Sequence, residues 1–286
     1  GSRDYFDIEH DGQVNVVLRP RQPGSSFKPI VYAASFLKGY TPDTVLFDVE
    51  TVFKTEIKKD YAPKNYDGKE RGPVTARKAL AGSLNIPAVK MIYLTGVDNV
   101  LDLAATMGYT TLMDRSRFGL SLVLGGGEIN LLEHAAAFGI FATEGMKYPT
   151  IGILKVEDKS GNILHEWKQS QGDRAFDPEI ARQISSILSD NSSRAFIFGE
   201  KNYLTLPDRP VAAKTGTTND FHDAWTLGYT PSLVAGVWVG NNDNAVMKKG
   251  GDGSKIAAPI WNAFMQKVLK KTPVESFTLP APIGGV

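Results

Sequence analysis

Residues 210–239 read PVAAKTGTTNDFHDAWTLGYTPSLVAGVWV, and this stretch decides the fold class. Small, β-branched and aromatic residues dominate three runs within it, which predicts consecutive strands at residues 210–213, 224–229 and 233–239. Only the turn-forming residues 230–232 separate the last two runs, so these two are expected to pair as antiparallel neighbours. This part of the chain therefore predicts an antiparallel sheet.

Helical patterns lie on both sides of this stretch. Apolar residues at helical spacing, with glycine or proline near the ends, predict helices at residues 30–39, 75–81, 87–94, 98–107 and 130–143. Two further helices are expected at residues 178–188 and 259–269. The predicted fold class is α/β (α+β), in which an antiparallel sheet is flanked by helices and an all-helical lobe is inserted at about residues 30–150.

The remaining segments are shorter. A strand is expected at residues 14–18, a hairpin at 152–156 and 162–167, and an irregular loop at 41–72. Proline and glycine recur from residue 272, which predicts an extended tail. The domain prediction is one domain over residues 1–271 and a tail at 272–286.

Composition excludes several classes of function. The 32 basic and 31 acidic side chains leave a net charge of +1, which gives no electrostatic reason to expect nucleic acid or an anionic membrane as a partner. The absence of cysteine excludes disulfides and thiol catalysis. The four histidines are scattered and form no HExxH-like pair, so no zinc site is expected. No other metal and no cofactor is predicted. No apolar run has the length of a membrane span, and no secretion signal is recognisable.

Three short motifs suited to serine acyl transfer stand in order: Ser25-Ser26-Phe27-Lys28, Ser83-Leu84-Asn85 and Lys214-Thr215-Gly216. Each is weak evidence alone, and Ser35 with Lys38 also matches the first pattern. The order of the three, with the helix or strand context predicted for each, favours a catalytic function over coincidence.

The chemistry explains the spacing of the first motif. A serine hydroxyl becomes a good nucleophile when a base takes its proton. Ser25 and Lys28 are three positions apart at a predicted helix start, so they share one face. Burial and the nearby charge of Lys214 would both lower the pKa of Lys28, as a base requires. The Ser25 N–H at the helix N-terminus can hold an oxyanion. Ser35 lies mid-helix, so it is expected to be inert.

The third motif is expected to follow the strand at residues 210–213. Gly216 would leave room for a ligand backbone, while hydroxyls at Thr215 and Thr217 can hydrogen-bond a substrate carboxylate. Lys214 supplies positive charge, and Thr218 belongs to the same set of substrate-binding candidates.

The sequence around these motifs resembles the transpeptidase domain of class A (bifunctional) penicillin-binding proteins. The resemblance covers about residues 1–263 and rests on the stretches 21–29 (RQPGSSFKP), 63–68 (PKNYDG), 72–75 (GPVT), 79–88 (ALAGSLNIPA), 223–225 (DAW), 228–231 (GYTP) and 236–240 (GVWVG). It implies a β-lactamase/transpeptidase-like fold.

The resemblance also implies a role for each matched residue. Ser25 attacks a stem peptide that ends in D-Ala-D-Ala, and Lys28 takes the serine proton. Ser83 relays a proton to the leaving amine in a network with Lys28 and Lys214. Asn85 hydrogen-bonds the substrate amide.

The same resemblance assigns the carboxylate site to Thr215 and Thr217, and the oxyanion hole to the backbone N–H groups of Ser25 and Thr217. The implied partners are peptidoglycan stem peptides, as D-Ala-D-Ala donor and amine acceptor, and β-lactam antibiotics. The implied location is extracytoplasmic. A membrane anchor, a glycosyltransferase domain and extra sheet strands are expected outside this chain.

Three function classes stay open: a transpeptidase, a hydrolase of the DD-carboxypeptidase or β-lactamase type, and a β-lactam sensor without turnover. The middle motif, Ser-Leu-Asn rather than Ser-Asp-Asn, counts against a class A β-lactamase. Glu128 is a candidate deacylation base, but an acid at a helix start explains it better. Asn65 and Tyr66 fit a functional loop and a plain turn equally well.

Overall fold

The computed structural model describes residues 4–54, 60–248 and 250–282. In this part of the chain the α-helices are α1 (Lys28–Leu37), α2 (Ala76–Ala81), α3 (Asn85–Thr95), α4 (Val97–Met107), α5 (Leu131–Ala142), α6 (Pro178–Ser189), α7 (Asn191–Phe198) and α8 (Ala258–Leu269). The strands are β1 (Val45–Asp48), β2 (Gly72–Thr75), β3 (Met146–Lys147), β4 (Lys155–Glu157), β5 (Ile163–Glu166), β6 (Asp173–Arg174), β7 (Ala212–Thr217), β8 (Asp223–Tyr229) and β9 (Val234–Gly240).

The largest sheet in the described residues is antiparallel, in the order β7-β8-β9. Ala212 pairs with Tyr229 and Thr217 with Ala224, so the β7–β8 ladder runs the full length of β7. The central strand β8 is buried along its whole length. The antiparallel pairing predicted from residues 210–239 is confirmed.

Helices cover both faces of this sheet. Successive residues of a strand point to opposite faces, and Ala212 and Ala213 accordingly belong to different cores. Ala212 joins the large core with helices α1, α3, α5 and α6, whereas Ala213 packs with Trp261 and Met265 of α8. The result is a sheet between two helical layers, as the fold class predicted.

Helix α1 lies at the centre of the molecule because nearly all of its residues are buried. It contacts α3 and α4 of the helical lobe and α6 beside the sheet. Pro29 occupies its first turn, where the missing N–H removes no helical hydrogen bond. This placement joins the two halves of the fold at the residues of the first motif.

Several sequence predictions were wrong. Residues 14–18 form turns rather than a strand, because Asn15 accepts the N–H groups of Leu18 and Arg19. The loop at residues 41–72 contains β1, which pairs with β2, so the lobe is not all-helical. Helix α7 was missed. The Lys-Thr-Gly motif lies inside β7 instead of after it.

The tail from residue 272 has little regular structure, in agreement with its composition. It nevertheless packs on the domain, since the Phe277 ring lies edge-on to the Tyr229 ring, with 5.7 Å between the ring centroids. No helix in the described ranges is both long and apolar enough to cross a membrane.

Candidate active site

Ser25 lies in a single 3-10 turn, Gly24–Phe27, that runs directly into α1. Gly24 has φ +57°, and a Cβ there would lie 2.5 Å from the carbonyl oxygen of Thr217. A Cβ on Gly216 would lie 2.1 Å from the carbonyl oxygen of Pro23. Because both positions are glycine, the turn and β7 touch backbone to backbone, which sets half-buried Ser25 beside Thr217.

Lys28, one turn after Ser25, is fully buried. Its Nζ donates to the carbonyl oxygen of Ser83 at 2.7 Å and to Oδ1 of Asn85 at 2.8 Å, and it lies 3.5 Å from the Ser83 hydroxyl. No hydrogen bond between Ser25 and Lys28 is found in the described residues. The second motif therefore holds the amine in place.

Lys214 approaches the same serine from the sheet. Its Nζ donates to the Ser83 hydroxyl at 2.8 Å and to the carbonyl oxygen of Thr215 at 2.8 Å. Ser83 thus stands between two buried lysines that come from different halves of the fold.

Burial governs the charge of both lysines. It lowers the pKa of Lys28 well below the usual value, and the nearby charge of Lys214 lowers it further. Burial also lowers the pKa of Lys214 to about 7, with help from the positive charge of Arg194. Lys28 is therefore suited to accept a proton, and Lys214 to give one up near neutral pH.

Ser83 occupies a strained position. Its φ of +58° lies in the left-handed region, which costs a residue with a Cβ about 1–2 kcal/mol. The tight connection between α2 and α3 imposes this conformation, since the Ser83 N–H donates to Leu80 and the Leu84 N–H to Ala79. The strain places both the hydroxyl and the carbonyl of Ser83 next to Lys28.

Asn85 is held by a second asparagine. Its side chain accepts from Lys28 and donates from Nδ2 to the carbonyl of Lys64 at 2.9 Å, which leaves one amide hydrogen for a ligand. Oδ1 of Asn65 accepts the backbone N–H groups of Asn85 and Ile86. Asn65 therefore caps the start of α3, which is a structural role.

At the other end of the site, Thr217 accepts a hydrogen bond from the Gly253 N–H at 3.0 Å, so its own hydroxyl hydrogen is free to point into the cleft. The Thr218 hydroxyl accepts the Asp223 N–H at 2.8 Å and lies close to the Asp223 carboxylate. Thr217 is consequently better placed than Thr218 to bind an anion.

These residues surround one cleft with a volume of about 740 Å³. Its floor includes Ser25, Ser83, Asn85, Thr215 and Thr217. The other residues that line it are Asn65, Tyr66, Asp67, Gly82, Leu84, Leu124, Phe196, Ile197, Phe198, Thr218, Asn219, Asp220, Phe221, Asp252, Ser254 and Lys255. Lys28 and Lys214 lie behind the floor, and exposed Glu128 is not among the lining residues.

The profile of the penicillin binding protein transpeptidase domain matches residues 11–266. The chain belongs to this family. Among its relatives, penicillin-binding protein 1A of Aquifex aeolicus is 35% identical over 98% of this chain and 37% of its own length. Penicillin-binding protein 1A of Neisseria gonorrhoeae is 31% identical over 96% of this chain and 35% of its own length. The chain thus spans little more than a third of these relatives.

Solved structures agree with the family. Penicillin-binding protein 1A from Haemophilus influenzae superposes with a TM-score of 0.83 at 27% identity, over 94% of this chain and 45% of its own. PonA1 from Mycobacterium tuberculosis in complex with penicillin V gives a TM-score of 0.82 at 26% identity, over 96% of this chain and 76% of its own. The chain has the fold of a penicillin-binding transpeptidase domain.

In this transpeptidase domain the reason for Gly216 differs from the one predicted. The space that a side chain would fill is occupied by the carbonyl of Pro23 and the side chain of Ser26, so no ligand backbone can enter there. Gly216 is required for contact between β7 and the turn that carries Ser25.

A buried chain of hydrogen bonds behind Ser25 was missed from the sequence. The Tyr109 hydroxyl lies 2.7 Å from Nδ1 of His134, and Nε2 of His134 lies 2.8 Å from the Ser26 hydroxyl. The Ser26 hydroxyl donates to the carbonyl of Pro23 at 2.7 Å, so His134 must donate from Nε2 and accept at Nδ1. No local motif links these four positions, because only the fold brings them together.

Ser26 and His134 look like a second nucleophile and base, but their environment argues against that role. Both side chains are fully buried, and the serine proton is already donated to Pro23. Burial lowers the pKa of His134 to about 3, so the ring stays neutral. These hydrogen bonds instead fix the backbone just before Ser25.

Proposed function

We propose that this domain is a serine DD-transpeptidase that cross-links peptidoglycan stem peptides through an acyl-enzyme on Ser25 and is acylated by β-lactams at the same residue. One observation carries the proposal: the Ser83 hydroxyl stands between Nζ of Lys214 at 2.8 Å and Nζ of Lys28 at 3.5 Å, at the floor of the cleft that Ser25 lines. Such a network can move a proton from an attacking hydroxyl to a departing amine.

In the first half-reaction, Ser25 Oγ forms an ester bond with the carbonyl carbon of the penultimate D-Ala. Neutral Lys28 takes the serine proton, and the C–N bond to the terminal D-Ala breaks. Ser83 gives its proton to the departing amine and is reprotonated by Lys214 or Lys28. Terminal D-Ala leaves with a neutralised amine, and the acyl group stays on Ser25.

Two groups of residues would bind this substrate. The Ser25 N–H lies in the first turn of its helix, where amides lack helical partners, and with the Thr217 N–H it would hold the oxyanion. Hydroxyls of Thr215 and Thr217 would bind the terminal carboxylate, and the free amide hydrogen of Asn85 the substrate amide.

In the second half-reaction, the amine of a neighbouring stem peptide attacks the ester carbon. A new C–N bond forms, the Ser25 ester breaks, and the proton of the amine returns to Ser25 through the lysine network. In β-lactams the C–N bond that breaks lies in the ring, so the leaving amine stays attached and the acyl-enzyme persists.

The proposal includes an extracytoplasmic location, because stem peptides lie outside the cytoplasm. It also includes association with a membrane anchor and a glycosyltransferase domain. Thr218 and Gly216 would act indirectly, by shaping β7 around the bound carboxylate.

The test is release of D-alanine from a peptide ending in D-Ala-D-Ala, measured with and without an acceptor amine. A transpeptidase forms an amine-dependent cross-linked product, and Ser25→Ala abolishes both release and product. Release of D-alanine without a cross-linked product, whichever amine is added, would identify a carboxypeptidase. Rapid hydrolysis of penicillin would identify a β-lactamase, and a stable penicillin adduct without any peptide turnover would identify a sensor.

A further inference from the structure

Arg194 on α7 is a buried arginine behind the proposed catalytic lysines. Only 1% of its surface is exposed. Its Nη1 donates to the carbonyl of Ala213 at 3.2 Å, and its Nη2 donates to the carbonyl of Leu188. Ala213 directly precedes Lys214 in β7.

Both acceptors lie at positions where a backbone carbonyl can accept from a side chain. Leu188 is one of the last residues of α6, where carbonyls have no helical N–H to accept. Ala213 lies in β7, an edge strand of the main sheet. The forked guanidinium therefore ties the end of α6 to the strand that carries Lys214.

The charge of Arg194 is poorly compensated. Within the described part of the chain no acidic side chain forms an ion pair with it, and its Nε is buried without a hydrogen-bond partner. Asp190, at the start of α7, contacts Arg77 and the Ser193 hydroxyl instead. Burial of an unpaired charge is unfavourable, so a neutral side chain would pack here at lower cost.

We propose that Arg194 is a positioning residue for Lys214: its guanidinium fixes β7 at the preceding residue, and its buried charge promotes transfer of the Lys214 proton to Ser83. This inference rests on the proposed function, in which Ser83 protonates the departing amine. It gives a physical reason for a charged group at a position where packing alone would favour a neutral one.

The direction of the Lys214 pKa shift agrees with this proposal. Burial and then the charge of Arg194 bring the pKa of Lys214 to about 7. Lys28 on α1 is the other cation at this site. Asp190 partly offsets Arg194, and Asp252 on the cleft wall is paired with Lys255. Removal of the Arg194 charge should therefore raise the pKa of Lys214.

The experiment compares Arg194→Gln, which removes the charge, with Arg194→Lys, which keeps the charge but loses the fork. Arg182→Gln is a matched control, since Arg182 lies on α6 but donates to Glu144 and makes no hydrogen bond to β7 in the described residues. Titration of the Lys214 side chain is followed by NMR on lysine-labelled protein, with the signal assigned by its loss in Lys214→Met. Acylation by a fluorescent penicillin is measured from pH 6 to pH 9, a range of about one to two units around neutrality.

Arg194→Gln is expected to shift the Lys214 titration up by about one pH unit and to slow acylation about tenfold. Arg194→Lys is expected to titrate like the parent and to acylate more slowly at every pH. Arg182→Gln should leave the Lys214 titration unchanged.

An unchanged Lys214 titration in Arg194→Gln would overturn the proposal. If that variant fails to fold, Arg194→Lys decides, because acylation at the parent rate would remove the positioning role. The NMR titration does not depend on turnover. If the Lys214 titration shifts in Arg194→Gln but the parent protein forms no penicillin adduct, the proposed function is contradicted, while the effect of the Arg194 charge on Lys214 is established.

Discussion

At the scale of single residues, the site contains two buried lysines. Burial disfavours the state in which both carry a charge. Lys28 and Lys214 approach the same Ser83 side chain, and each has a lowered pKa. The chemistry of the motifs predicted that Lys214 lies near Lys28, and the family resemblance implied that Ser83 joins them. The sequence could not show that Asn85, rather than Ser25, holds the Lys28 amine.

The lowered lysine pKa values link stability to pH. The pKa of Lys214 is about 7 in the folded protein and 10.5 when solvated, so between these values the unfolded state binds more protons. The free energy of unfolding should therefore rise between about pH 7.5 and about pH 9.5, by up to about 1.4 kcal/mol per pH unit. Urea unfolding at several pH values measures this rise, and Lys214→Met should reduce it. An equal slope in both proteins would show that Lys214 is fully charged in the folded state.

The hydrogen-bond chain from Tyr109 to Pro23 gives a second prediction. Ser26→Ala leaves the buried Nε2–H of His134 without an acceptor, which should lower the free energy of unfolding by about 1–3 kcal/mol. Tyr109→Phe leaves Nδ1 of His134 without a donor and should have a similar effect. Denaturant unfolding of both single variants and the double variant tests the chain. Strictly additive losses would mean that the bonds act independently.

At the scale of secondary structure elements, the contact between the Gly24–Phe27 turn and β7 creates the site. The sequence predicted the strands and the helix start, but it ended the strand at Ala213 because Lys214 to Thr218 look like a polar strand end. The ladder continues to Thr217, since each residue from Lys214 to Thr217 pairs with β8. Helix α7 escaped prediction because its apolar residues form no single buried face: Phe196 and Ile197 are exposed and line the cleft, whereas Phe198 packs against the smaller core.

Gly216→Ala tests this contact. A Cβ 2.1 Å from the Pro23 carbonyl would push the turn away from β7 and separate Ser25 from Thr217. Because misplacement by about 1 Å costs about 100-fold in rate, acylation by penicillin should fall by about that factor. Gly119→Ala is the matched control, since no atom lies within 4 Å of its added Cβ and its activity should be retained. Parent-like acylation by Gly216→Ala would show that the contact is not needed.

At the scale of the whole molecule, the cleft exists because residues far apart in sequence meet between the helical lobe and the sheet. Ser83 and Lys214 are 131 residues apart and share a hydrogen bond. Motifs could predict these residues because each carries its own chemistry. Arg194 and His134 could not be found in this way, because their roles come only from the packing around them. For Asn65 the sequence left a functional loop and a plain turn equally open.

Packing also distinguishes the two Ser-x-x-Lys matches, Ser25 with Lys28 and Ser35 with Lys38. Ser35 is fully buried, and its hydroxyl bonds to Val31 and Thr95, while Lys38 donates to the Thr95 carbonyl. Ser35→Ala should therefore leave the penicillin acylation rate unchanged and lower stability by about 1 kcal/mol. Stopped-flow acylation and thermal unfolding measure the two effects. A loss of acylation without unfolding would mean that Ser35 has a catalytic role.

The most direct test of the account is the intact mass of the protein after incubation with a penicillin, followed by peptide mapping. The account predicts a single stable adduct on the peptide that contains Ser25, absent in Ser25→Ala and present in Ser35→Ala. An adduct on another residue, or persistent acylation of Ser25→Ala, would contradict the assignment of Ser25 as the nucleophile.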